Sequence, residues 1–346
     1  MLKNKRLFIK TMAVLLVFTV YSIYASGGRR NATAGAQQLL IPVGAEGIAL
    51  GGAYVAGLSG IESIYYNPAG LSGLTNSSEV AFSQMSWIAD IDFSYAAVAV
   101  NMGNFGHLGV TLRSLDFGDI PVTTVERPEG TGYTFSPSYI TLGITYANFL
   151  TNHIKAGVSF NIISEEIERT GATGFTVDVG LQYDGLAQVE GLQMGIVLKN
   201  FGPEMVYDGP DLYRTADDGS NRGRQKLKIQ AEGFEMPSQL EIGLAYVANV
   251  GEKFKGMVSS SFQNNNFAND QFKFGGEISY DNMLFLRGGY AYSEDRAGLN
   301  GDDNIFGPSV GAGFKLHGDL DITFDYAFRV VEIFDDNQVF AIKIAF

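Results

Sequence analysis

Asp321-Ile322-Thr323-Phe324-Asp325-Tyr326-Ala327-Phe328-Arg329-Val330 decides the fold class. Every even position carries a large apolar side chain, and every odd position a polar or small one. Successive side chains of a strand point to opposite faces, so this segment reads as a strand with one apolar face and one wet face. The chain ends on the same pattern: Phe340, Ile342, Ile344 and Phe346 lie on one face, Ala341, Lys343 and Ala345 on the other. Val310, Ala312, Phe314 and Leu316 alternate with Gly311, Gly313, Lys315 and His317, and Ile154 to Ile162 alternate likewise. Soluble sandwiches also alternate. Segments of about ten residues with Gly and Ala on the polar side point instead to a transmembrane antiparallel β-barrel with a wet or plugged interior.

Extending the reading in both directions gives strands near 79–89, 92–102, 105–116, 137–148, 152–165, 173–184, 190–201, 238–249, 254–263, 271–281, 283–293, 306–317, 320–331 and 336–346. These make about fourteen, an even number, as in single-chain bacterial barrels. Tight connections at 102–105, 149–152, 184–190, 249–254, 281–282 and 317–319 alternate with mostly longer ones at 117–136, 166–172, 202–237, 264–270, 294–305 and 332–335. Short periplasmic turns and longer outer loops produce that rhythm. Trp87, Phe93, Tyr146, Phe149, Tyr183, Tyr246, Tyr280, Tyr290 and Tyr292 fall near strand ends, where interfacial aromatic girdles are expected.

Composition agrees. Of 346 residues 43 are Gly, 12 % are aromatic and 18 % are charged, against about a quarter charged in an ordinary soluble domain. The absence of Cys excludes a thiolate metal site, a cysteine nucleophile, a disulfide framework and a lipidated cysteine. Lys3, Lys5, Arg6 and Lys10, followed by the apolar run Met12 to Ile23 and the small residues around Ala25, read as a secretory signal over 1–25. Cleavage near Ala25 removes four cations and takes the formal charge from −13 to −17. So acidic an exported chain is not built for nucleic acid. No later stretch is apolar and long enough for a spanning helix, so the membrane must be crossed by a closed sheet.

Between signal and strands, residues 26–78 form a separate unit, and the barrel takes 79–346. Gly44 to Leu74 is rich in Gly and Ala and ends in Asn67-Pro68-Ala69-Gly70-Leu71. Asn67 suits an N-cap and Pro68 the first helical position. Small residues at Gly51, Gly52 and Ala53 allow backbone to pack on backbone, as in a compact plug; an ordinary Gly-rich loop capped by a helix is the alternative.

No catalytic, cofactor-binding or metal-binding residue is expected. Gly307-Pro308-Ser309-Val310-Gly311 matches the nucleophile-elbow spacing, but it opens a strand rather than a strand-to-helix turn. His107, His153 and His317 lie far apart, and the oxygen-rich run Asp295, Asn300, Asp302, Asp303, Asn304 lacks calcium-loop spacing. Lys273, Glu277, Arg287, Lys315, Asp321, Asp325, Arg329 and Lys343 occupy the polar faces and should point into the lumen, pairing wall to wall and wall to plug, with a conducting or substrate-guiding path as the alternative. In the longest outer loop Tyr207, Asp208, Tyr213, Arg214, Arg222 and Arg224 mix charge and aromatic character, as protein-contact surfaces do; a merely solvated loop is the alternative.

Gly51-Gly52-Ala53-Tyr54-Val55-Ala56, then Tyr65-Tyr66-Asn67-Pro68-Ala69-Gly70-Leu71, then Trp87 with Asp90-Ile91, resembles the PorV/PorQ family of outer-membrane proteins, within the wider FadL-like class. The resemblance covers about residues 40–92. It implies a fourteen-strand barrel with an N-terminal hatch, and a place in type IX protein secretion with secreted or translocon proteins as partners. Glu46 departs from the pattern, since PorV-like chains often carry Arg after Gly-Ala. The FadL-like class implies an alternative, passive transport of hydrophobic molecules. The polar-side residues, mostly Gly, Ser, Thr and Ala with charges of both signs, argue for docking, because charge along an apolar conduit is costly to desolvate.

Overall fold

The computed structural model describes residues 33–217, 224–293 and 305–346. The signal segment, Arg222 and the run 295–304 therefore lie outside the described residues. Fourteen antiparallel strands close into a barrel. They are β1 (Ser78–Ser86), β2 (Asp92–Asn101), β3 (His107–Asp116), β4 (Ser138–Phe149), β5 (Ile154–Ile167), β6 (Thr170–Asp184), β7 (Leu192–Phe201), β8 (Gln239–Asn249), β9 (Phe254–Asn265), β10 (Gln271–Tyr280), β11 (Leu284–Ser293), β12 (Phe306–Leu316), β13 (Asp321–Val331) and β14 (Asn337–Ala345). Each pairs with the next, and β14 returns to β1 through Val80↔Ile344 and Phe82↔Ile342. No edge is left unpaired, which is what hydrocarbon requires of a sheet.

Period-two patterning sets which face is which. On β13, Phe324, Tyr326 and Val330 are exposed, whereas Asp325 and Ala327 are buried. Ile144 and Leu286 stand outward at 57 % and 67 % exposure, and the same apolar band continues over Val110, Val158, Leu181 and Phe340. An apolar surface wrapped around a closed sheet is stable only against lipid tails, so the barrel spans a membrane. Among the described residues no helix is long and apolar enough to cross one.

Three features differ from the sequence expectation. The connection placed at 166–172 is only Glu168-Arg169, because β5 and β6 extend to a tight turn with Ile167↔Thr170 paired. Trp87 and Phe93 do not stand in a lipid-facing girdle: Phe93 is buried inside, and Trp87 is half-buried over the lumen. The 202–238 segment is not a plain loop. It carries a hairpin, Tyr213–Asp217 with Arg224–Lys228, and lays Met205, Met236 and Phe234 over Ala36, Leu39, Ile163 and Ala172 at the outer mouth.

The hatch fills the lumen with two short helices, α1 (Ala45–Ala49) and α2 (Ser63–Tyr66), and 3-10 turns at Gln37–Leu40 and Pro68–Gly73. Such short turns are marginal alone, and the wall holds them. Leu50, Tyr54, Leu58, Ile61, Ile64 and Leu71 form one apolar core with inward wall residues such as Phe93, Tyr95, Ala97 and Ala99.

Candidate functional site

The hatch is seated by backbone approach at wall glycines. A Cβ on Gly289 would stand 2.0 Å from the Leu50 carbonyl carbon, one on Gly157 2.3 Å from that of Pro68, and one on Gly195 2.1 Å from the Val55 oxygen. The hatch's Gly51, at φ 63°, would likewise meet the Tyr290 nitrogen at 2.5 Å, and Gly52 has φ 75°. Ala53, next in the chain, is buried. Asn67 is fully buried: its Oδ1 accepts from the Ala69 N–H at 3.1 Å, and its Nδ2 donates to the carbonyls of Val55 at 2.9 Å and Leu181 at 3.1 Å. The cap of the Pro68–Gly73 turn therefore also ties hatch to wall. Gly70 packs on Ser63 and Leu58, and Leu71 is buried in the same apolar core as Ile64.

The lumen charges separate into four places. Glu277, Arg287, Asp325 and Lys343 come together with two hatch carboxylates. Lys343 Nζ lies 2.6 Å from Glu46, 3.1 Å from Asp325 and 3.4 Å from Glu62. Arg287 reaches Asp325 at 2.5 Å, Glu277 at 2.6 Å and Glu46 at 3.5 Å. Burial alone would raise the Glu46 carboxyl, but Lys343 and Arg287 overcome it and hold the group down to about 2. Glu46, the departure from the resembled pattern, is thus a principal hatch-to-wall contact. Lys273 instead pairs with Glu241 at 3.2 Å and donates to Gln263. Lys315 and Asp321 pair at 2.8 Å near the periplasmic mouth. Arg329 donates to Asn337 and stacks over Phe306 at 4.0 Å and Trp87 at 5.1 Å.

Above the hatch, toward the outer mouth, lies a cavity of about 500 Å³. Trp87, Ile88, Ile91, Leu115, Phe117 and Phe306 make one side apolar and aromatic; Lys199, Glu241, Gln263 and Lys273 face them. Sequence reasoning missed this wall. It searched the polar faces of strands, while the apolar lining comes from the β1–β2 turn, the hatch segment around Ile41 and Pro42, and the outer strand ends. The argument for docking from a lumen lined mostly by Gly, Ser, Thr, Ala and charges is corrected accordingly, since this part of the lining is apolar. Lys199, also missed, is 5 % exposed. Its ammonium stands 3.6 Å from the Tyr65 ring centroid, and among the described residues it has no hydrogen-bond acceptor. The ammonium opens on the cavity, where a ligand anion would give it a charge-assisted hydrogen bond. The Gln38 Oε1 on the same cavity has no donor among the described residues.

In the outer loop, four of the candidate contact residues make bonds within the chain. Tyr207 donates to Glu165, Asp208 pairs with Lys228 at 2.7 Å, Arg214 donates to the Asp211 carbonyl, and Arg224 reaches the Thr215 carbonyl. Tyr213 stands on the hairpin, exposed. Ser309 of the elbow-like run lies in β12 and donates to the Ala49 carbonyl at 3.2 Å, another hatch tie.

No family model matches the chain, and no curated protein matches it. Solved structures do. The toluene transporter TodX of Pseudomonas putida aligns with 87 % of this chain and 96 % of its own at 13 % identity and a TM-score of 0.55. The monoaromatic hydrocarbon channel CymD aligns with 89 % and 98 % at 14 % identity and a TM-score of 0.52. Likeness at this identity shows the fold alone, a transmembrane barrel like those of TodX and CymD.

Proposed function

We propose that the protein is a passive outer-membrane channel for hydrophobic small molecules. The outer cavity is the first binding stop, and the hatch is the obstruction beneath it. The observation that carries this reading is the cavity itself, with an aromatic and aliphatic wall set opposite the Lys199 ammonium, which opens on the cavity over the Tyr65 ring. Burying apolar ligand surface against that wall supplies the affinity, roughly 25 cal/mol per Å² removed from water. Lys199 adds a preference for a ligand that ends in a carboxylate. TodX and CymD, whose barrels this one resembles, carry toluene and monoaromatic hydrocarbons by name, which supports the same class.

The secretion reading rests on the PorV/PorQ resemblance of the hatch motif and on an outer loop whose Asp208, Tyr213, Arg214 and Arg224 are exposed, and the structural comparisons add nothing to it. Uptake of radiolabelled toluene and of a medium-chain fatty acid into cells expressing the protein tests the proposal. Faster uptake than in cells without it, unchanged on deleting Asp208 to Gln225, supports transport. Equal uptake, together with a secreted protein that co-purifies only with the intact loop, overturns it.

A further inference from the structure

The charges held between hatch and wall do not balance. Two cations, Lys343 and Arg287, face four carboxylates, Glu46, Glu62, Glu277 and Asp325. Full ionisation would leave two net negative charges in a buried site. Glu62 is the group left over. It is 3 % exposed, stands 3.4 Å from Lys343, and among the described residues neither of its oxygens accepts a hydrogen bond. Glu46 and Asp325, by contrast, approach Lys343 more closely and share Arg287 as well. A buried carboxylate without hydrogen bonds is costly as an anion and much less so as an acid. Oxygens of Glu46, Glu62 and Asp325 come within 4.8 Å of one another, a spacing that also suits a metal ion. The Lys343 ammonium already stands in the cation's place, so a second cation would meet like charge.

We propose that Glu62 is a proton-binding site that couples hatch docking to pH: protonated while the hatch sits against the wall, ionised when it comes away. This rests on the geometry of the lumen and not on the identity of the ligand. The groups that face Glu62 come from every element packed around it. From the hatch come Glu46, Tyr54 and Tyr66; from the wall come Lys343, Asp325, Arg287, Tyr95 and, on the Tyr95 side, Glu79. Burial raises the Glu62 carboxyl most, Lys343 opposes it, and Glu46 and Asp325 add to the rise, so that it is pushed up to about 7. Released into water, a glutamate titrates near about 4.3. The docked state therefore binds the proton more tightly. Docking is strongest below the released value, weakens as pH rises through the docked value, and levels off above it. A small polar pocket of about 150 Å³ at the periplasmic end, lined by Gly60, Glu79 and Lys343, brings solvent to the cluster.

The chain has no cysteine, so Ser63→Cys, fully buried beside Glu62, gives one reporter thiol. In nanodiscs without added ligand, its labelling by a water-soluble maleimide is normalised at each pH to the boiled protein. The expected rise from pH 5.5 to 8 is on the order of 30-fold, set by the linkage between the two protonation constants. Glu62→Gln in the same background should label slowly at every pH. Lys343→Gln removes the cation that opposes protonation of Glu62, so its labelling should still rise with pH; if that variant fails to assemble, the Glu62→Gln arm decides alone. A flat profile in the parent, or a pH dependence that survives Glu62→Gln, overturns the proposal. Because no ligand is present, failure of the transport reading leaves this result standing.

Discussion

Gly289→Ala is the sharpest probe of how the hatch is seated. The Cβ of the variant would stand 2.0 Å from the Leu50 carbonyl carbon and 2.2 Å from the Gly51 nitrogen. Ordinary contact begins at 3.4 Å, so hatch and wall must separate by 3.4 − 2.0 = 1.4 Å along that line. Both colliding groups are backbone, so no side-chain rotation relieves the clash. Overpacking of this kind costs about 1–3 kcal/mol, a factor of roughly 5 to 150 in the docked-to-released ratio. Gly288 is the internal control. It is the next residue, it faces outward, and a Cβ there meets nothing closer than the Ser309 oxygen at 3.9 Å. Both barrels should assemble, shown by the shift in electrophoretic mobility on boiling. Maleimide labelling of Ser63→Cys should then rise by that factor in Gly289→Ala and stay at the parent rate in Gly288→Ala. Equal labelling of the two variants would refute the claim that backbone contact at Gly289 seats the hatch.

Three further outcomes follow from the same geometry. Phe324→Arg places charge on the lipid face at a cost of about 2–4 kcal/mol near the midplane and should block assembly, whereas Thr323→Arg, on the rim of the periplasmic pocket, should still give the boiling shift. Asn67→Ala removes a cap worth about 0.5–2 kcal/mol and the tie to Leu181, so hatch amides should exchange hydrogen faster while β-strand amides keep their protection. Lys199→Met should weaken binding of a hydrophobic acid by about 10- to 150-fold, the value of a hydrogen bond to a charged group, and leave toluene binding unchanged; equal loss of both would mean that Lys199 shapes the cavity rather than reads the acid.

Much of this barrel is legible in one dimension because its code is local. A period of two in Asp321 to Val330 fixes both strand and face, and the observed ends of all fourteen strands lie within three residues of those read from the sequence. Asn67-Pro68 is legible for the same reason, since a cap and its turn are adjacent. Partner choice across the lumen is not local. Lys343 meets Glu46 over a separation of 297 residues, and only the closure of β14 on β1 and the path of the hatch bring them together. Nothing in the spacing of Gly44 to Leu74 marks Glu46 and Glu62 as the two that face Lys343. The cavity was hidden for a different reason: its apolar wall is assembled from a turn, a hatch segment and strand ends, whereas alternation reports only the faces of strands.

Trp87 is the only tryptophan in the chain, and it lines the outer cavity. Its fluorescence, titrated with toluene and with a medium-chain fatty acid in nanodiscs, tests most directly whether this lumen holds a hydrophobic ligand. The account predicts a saturable emission change with one site per barrel, with the acid bound more tightly than toluene and that advantage lost in Lys199→Met. An emission that does not change with either ligand, or changes without saturating, would contradict it.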